Sequence, residues 1–279
     1  MSSSSPKKPE KVKVKFRDQP KSSNIPAGLN KALKTIETGQ KIKDFFARPK
    51  VQKWANIVVA AVAPILVLNL FVPLGAKVIA ALGTNLAVPT WLIKNAIFYT
   101  MPVVAFYSIK ILIKLYRWPQ AEILKLKKTS KKGILIIILS LLVYIICSGA
   151  VVLIASSLKL IPENLLTQTQ DIGFSKNQST FGLINVFIIL AIIAPLVEEM
   201  IFRGMGYLNL RRLLGFWPAA IYTSLIFALY HGQLNVGIDT FILGMFMALA
   251  VEKTGSLWAS LAMHVIKNSL AFTFLFLIK

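Results

Sequence analysis

The residues with the means to do chemistry are few and unusually placed. The stretch "IIAPLVEEMIFRGMGYLNL" is apolar enough to lie in a bilayer, yet it carries Glu198, Glu199 and Arg203. The chain has two histidines, His231 in "IFALYHGQLN" and His264 in "LWASLAMHVIKNSL", and both sit in apolar surroundings. An ionised side chain at mid-membrane costs about 2.5 to 3.5 kcal/mol to insert, so each of these groups needs a partner or a purpose. Carboxylates beside imidazoles supply general acid and base groups, and imidazole and amide N–H groups can bind a developing oxyanion.

Helical spacing sorts the charges. Glu199 and Arg203 are four apart and meet on one face of a helix as an ion pair. Glu198 points about 100° away and must look to another segment. If the chain reverses near "RRLLGF", Glu198 and His231 stand at equal distances from the turn, each roughly 20 Å along its helix. A second reversal near Thr254 and Gly255 sets His264 roughly 13 Å and Asn268 roughly 19 Å along the last helix. Phe227 and His231 share one side of their helix, as do His264 and Asn268. Polar groups from three helices are therefore expected to converge on one buried pocket.

The composition shows what must position them. Of the chain, 56% is apolar and only 15% is charged, which indicates a polytopic membrane protein. Seven apolar runs are expected to span, near residues 54–74, 92–113, 134–156, 183–207, 216–232, 236–252 and 256–277, the sixth being short. The fold class is all-α, a polytopic transmembrane helical bundle of about seven spans with a disordered basic N-terminal tail. We divide the chain into a basic cytoplasmic tail (1–53), N-terminal transmembrane helices (54–180) and a transmembrane core (181–279). Within the tail, Leu29, Leu33, Ile36, Ile42 and Phe46 recur at helical spacing between lysines, as in an amphipathic helix on the bilayer surface. The tail is too long and too polar to open a signal peptide, so the first span is expected to be retained.

The net charge of +21 comes from lysines in the tail and in "KLYRWPQAEILKLKKTSKK", beside expected membrane ends, and no aromatic-basic pattern accompanies them. Orientation explains them better than nucleic acid does. The positive-inside rule puts the tail and loop 114–132 in the cytoplasm and loops 75–91 and 157–182 outside. The same residues can attract anionic lipid. Cys147 is alone, which excludes a disulfide and a CxxC site, and it reads as a packing residue. Asp239 is placed near the outer end of the sixth span, and no GxSxG elbow supports Ser-His-Asp catalysis.

Read together, "EEMIFR", "FALYH" and "HVIKN" form EExxxR, FxxxH and HxxxN motifs in that order on successive hairpins. The pattern resembles the CPBP family, which comprises the CAAX prenyl endopeptidases and the bacterial bacteriocin-processing or self-immunity proteins called the Abi family. The resemblance covers roughly residues 183–277. It implies glutamate-type intramembrane proteolysis, in which Glu198 with His231 activates water and His264 with Asn268 stabilises the oxyanion. It further implies that Glu199 and Arg203 are catalytic-site residues, with Phe227 supporting. The implied substrate is a peptide or membrane protein, and the lysine-rich tail and compact chain favour a bacterial cell membrane.

Three alternatives stay open. No cofactor is expected, but Glu198, Glu199, His231 and His264 are acceptable zinc ligands, although no HExxH helix is present. All six polar residues could form a plug that locks three helices together. A non-catalytic immunity or sensor-regulating protein of the same fold would keep the motifs for binding alone.

Overall fold

The computed structural model describes residues 38, 40, 41, 44, 48–86, 88–116, 129–166, 168, 174 and 179–278. The expected disordered tail, the amphipathic helix over 29–46 and most of the basic loop 114–132 fall largely outside these residues. Residues Lys53–Lys279 form one compact unit.

Among the described residues the unit is a bundle of helices. Helix α1 (Pro49–Leu66) passes through a π-helical turn (Val67–Phe71) into α2 (Val72–Asn85), and α3 follows (Thr90–Tyr116). Helix α4 (Lys131–Ser157) and the short α5 (Glu163–Leu166) come next. The fourth apolar run is composite: α6 (Thr180–Phe187), a π-helical segment (Ile188–Ile193), α7 (Ala194–Glu199), a second π-helical segment (Met200–Tyr207) and α8 (Leu208–Leu214). The chain ends with α9 (Phe216–Tyr230), α10 (Leu234–Thr254), α11 (Leu257–Phe272) and a last π-helical turn (Thr273–Leu277).

Local chemistry fixes the ends of these elements. Ser130 and Ser179 take N-cap positions, their hydroxyls accepting from the amides of Gly133 and Gly182 at 3.1 and 3.2 Å. Such caps satisfy amides that the first turn leaves without partners. The two expected reversals fall at Gly215 (φ +87°) and Gly255 (φ +64°), where an L side chain would be strained. Small residues let helices approach: a Cβ on Gly206 would lie 3.1 Å from Pro64 Cγ. Ala219 and Ala220 are fully buried.

Outward, the helices present Ile138, Leu142, Ile146 and Leu153 from α4, and Leu225 and Leu229 from α9, all exposed. An apolar exterior of this kind is solvated by lipid, and the protein is an integral membrane protein. Among the described residues, six helical runs are long and apolar enough to cross a bilayer: Pro49–Asn85, Thr90–Lys114, Lys131–Ser157, Thr180–Leu214, Leu234–Thr254 and Leu257–Leu277.

Three sequence expectations change. The expected span 216–232 is the 15-residue helix α9, about 22 Å long, which falls short of a hydrocarbon core of about 30 Å. It stops at His231, where Gly232 turns the chain at φ +70°. The run expected to be short is the 21-residue α10. Much of the loop expected over 75–91 is helix α2, which packs on α3: a Cβ on Gly75 would touch Val104 at 3.3 Å, and one on Gly83 would press on Ile93 at 2.6 Å.

Candidate active site

The fourth apolar run carries the acidic pair, and its irregularity begins with one residue. In the π-helical segment Ile188–Ile193 amides bond to the carbonyl five residues back, as Ala194 N–H does to Ile189 O. The next bond in that register would run from residue 195 to Leu190 O, but residue 195 is proline and has no N–H. The freed Leu190 carbonyl instead accepts from Asn268 Nδ2 at 2.9 Å. A gap in the backbone ladder of one helix thus fixes the side chain of another. Short π-helical segments recur at functional sites because they re-aim side chains in this way.

Glu199, the last residue of α7, and Arg203 form the expected ion pair, with Nη1 3.3 Å from Oε1 and both side chains 1% exposed. The same Oε1 accepts from His264 Nδ1 at 2.9 Å. Arg203 also lies over the Phe227 ring, its Cζ 4.5 Å from the centroid. Phe227 meets His231 and His264 edge-on, at centroid distances of 4.8 and 5.6 Å. Four elements therefore meet in a buried layer around one aromatic ring.

On the outer side of this layer is a cavity of about 270 Å³, lined by Glu198, His231, Asn268, Tyr230 and Lys267 together with apolar residues such as Leu190, Ala194 and Phe272. His231 closes the C-terminal end of α9, and its Nδ1 lies 2.8 Å from Phe227 O. A carbonyl only accepts, so Nδ1 carries the proton and Nε2 presents its lone pair. Glu198, at 18% side-chain exposure, reaches the same cavity. Asn268 spends one amide hydrogen on Leu190 O, which leaves the other for a ligand.

All the expected polar residues meet here, with one difference in pairing. Glu198 has His264 beside it, Nε2 to Oε2 being 3.6 Å, while His231 shares the cavity with Glu198. His264 is buried behind the cavity and bridges toward both glutamates. Among the described residues no three His, Cys, Asp or Glu side chains converge as metal ligands. Two polar cavity residues escaped the sequence reading, Tyr230 and Lys267, although each is the chain neighbour of a residue that did not. Asp239 is less peripheral than its place near the start of α10 implies. It accepts from Tyr144 and Ser148 of α4, each at 2.7 Å, and pairs with Lys267 at 3.4 Å.

The family model described as Rce1-like, Type II CAAX prenyl endopeptidase Rce1-like, matches residues 180–270. This part of the chain is similar to that family. The match bears out the resemblance read from the three motifs and covers every residue of the buried layer and cavity named above except Phe272. It supports an intramembrane endopeptidase of the CAAX type in general terms. No curated protein and no solved structure matches the chain.

Proposed function

We propose that the chain is a glutamate-type intramembrane endopeptidase whose Glu198 and His231 activate a water molecule against a peptide carbonyl. The observation that carries this reading is the shared cavity, where a carboxylate, an imidazole with a free Nε2 lone pair and an amide donor line one space of about 270 Å³. The water gives its proton to Glu198, with His231 Nε2 accepting a hydrogen bond from the same water, and its oxygen attacks the carbonyl carbon. The carbonyl oxygen becomes an oxyanion and receives the second amide hydrogen of Asn268. His264 supports that step from behind Glu198, with its Nε2 turned toward Oε2. The C–N bond then breaks, and the proton held by Glu198 passes to the departing amine.

Glu199 and Arg203 do not reach the cavity in this scheme. Their ion pair holds His264 through Oε1 and sits on Phe227, so the layer is a preorganised floor beneath the reacting groups. The substrate is a peptide segment of a membrane or membrane-bound protein. The basic tail lies in the cytoplasm against anionic lipid, and the cell membrane is bacterial.

The test is cleavage of a quenched peptide library by the detergent-solubilised protein beside its Glu198→Gln variant, with and without a chelator. Cleavage that survives chelation and disappears in the variant supports metal-free glutamate chemistry. Loss on chelation with recovery in zinc would replace the water-activating pair by a metal site. Cleavage by neither protein, with Glu198→Gln still complementing in cells, would favour a non-catalytic immunity or regulatory role.

A further inference from the structure

The cavity holds a cation that the scheme above does not use. Lys267 lines it next to Asn268, with its side chain 23% exposed. An ammonium in this setting costs about as much to insert as a carboxylate, so the residue calls for an explanation. One explanation is structural: Lys267 Nζ lies 3.4 Å from Asp239 Oδ2 and could simply tie α11 to α10. Asp239, however, has two other donors, the hydroxyls of Tyr144 and Ser148, both on Oδ1. The aspartate is thereby anchored to α4 by neutral donors and sets a fixed negative point behind the ammonium. An ammonium has three N–H donors, and Asp239 Oδ2 faces it as an ion pair at 3.4 Å, too long to satisfy them all.

We infer that Lys267 is a specificity residue that binds a carboxylate of the substrate within the cavity, with Asp239 as its positioning partner. The inference rests on the endopeptidase reading. A reacting carbonyl and the bound carboxylate must share about 270 Å³, so the carboxylate belongs close to the scissile bond. Two sources supply that chemistry, a free C-terminus and an Asp or Glu side chain. Either places its charge on Lys267, where a charge-assisted hydrogen bond orients the peptide across Glu198 and His231. Glu198 itself repels a carboxylate, which directs the anion to the Lys267 side of the cavity.

Three quenched peptide libraries test this on the full-length protein in detergent: one with free-acid C-termini and no acidic residues, the same library amidated, and an amidated library with a fixed Glu. The expected result is a preference of at least about tenfold in kcat/KM for a carboxylate-bearing library over the neutral amide, carried mainly by KM. The arm that shows it identifies the source. The preference should persist in Lys267→Arg and vanish in Lys267→Met. Because Lys267→Met strands Asp239, the double variant Lys267→Met/Asp239→Asn provides a folded comparison without the stranded charge. An acid-to-amide ratio unchanged by removing the lysine overturns the inference, since a merely structural pair would alter both libraries alike. Equilibrium binding of the same libraries to Glu198→Gln separates the two claims. Tighter binding of the carboxylate library without cleavage by the wild type would sink the endopeptidase reading and keep Lys267 as an anion site. Equal binding of all three libraries would remove the Lys267 site whatever the catalysis shows.

Discussion

The guanidinium of Arg203 lies over the face of Phe227 at 4.5 Å while its Nη1 stands 3.3 Å from Glu199 Oε1. Neither terminal nitrogen of Arg203 makes a hydrogen bond among the described residues, so the ring and the ion pair together stabilise a charge that is 1% exposed. A desolvated cation over an aromatic face is worth about 2 kcal/mol. Phe227→Leu keeps the apolar volume and loses the face. The variant is expected to fold with a modestly lower melting temperature and to lose about tenfold or more in kcat/KM, as His231 and His264 both lose their edge contact. Wild-type kcat/KM in Phe227→Leu would show that the ring only packs.

Adjacent glutamates should respond in opposite ways. Glu198 faces the cavity, whereas Glu199 is buried against Arg203 and His264. Glu198→Gln is expected to leave the melting temperature nearly unchanged and to cut cleavage by about 100-fold or more, because the proposed general base is gone. Glu199→Gln removes the charge that compensates Arg203 and should destabilise by roughly 3 to 5 kcal/mol. The pair Glu199→Gln/Arg203→Met should recover much of that loss, since no buried charge is left alone. Thermal unfolding in detergent, read beside activity, distinguishes the two positions. The reverse pattern would exchange their roles.

Much of this layer is legible in the sequence because it depends on helical spacing. The i, i+4 relation of Glu199 and Arg203 and the glycine turns at Gly215 and Gly255 follow from residue types and short separations. The common depth of Glu198 and His231 follows from counting back from a turn. What stays hidden depends on contacts between distant segments. Hydropathy falls over 75–91, so that stretch reads as a loop, yet Gly75 and Gly83 let α2 close on α3 and the packing holds it helical. Pro195 is plain in the sequence, but the π register that makes Leu190 O its victim is a property of the folded run. Asp239 looks like a residue near the outer end of its span until α4 brings Tyr144 and Ser148 to it and Lys267 of α11 pairs with it.

Gly244 of α10 is the narrow point behind the arginine. A Cβ there would lie 2.7 Å from Ser224 Oγ and 3.0 Å from Arg203 Nη2. Gly244→Ala is favourable for helix propensity by about 1 kcal/mol. The contacts oppose that gain, and overpacking of this kind costs about 1 to 3 kcal/mol. The side chains most able to yield are Ser224 and Arg203, so the expected outcome is a shifted guanidinium and a fall in kcat/KM out of proportion to any loss of stability. A variant with wild-type activity would mean that the helices, not the arginine, absorb the methyl group.

The Pro195 gap offers the most direct test of how one helix positions another. Pro195→Ala restores an N–H that can bond to Leu190 O in the π register or draw the segment back toward α-helix. Either change competes with Asn268 Nδ2 for the same carbonyl, now at 2.9 Å. Removing a proline from a helix interior should also leave stability equal or higher. The expectation is therefore a protein of equal or greater melting temperature with weaker catalysis, down by roughly ten- to a hundredfold if Asn268 loses its aim as an oxyanion donor. Asn268→Ala should cost about 100- to 1,000-fold alone. Because both substitutions act through the same amide, the double variant should be little worse than Asn268→Ala. Fully additive losses would mean that Pro195 shapes the site by another route, and undiminished cleavage by Pro195→Ala would mean that Asn268 does not need Leu190 to hold it.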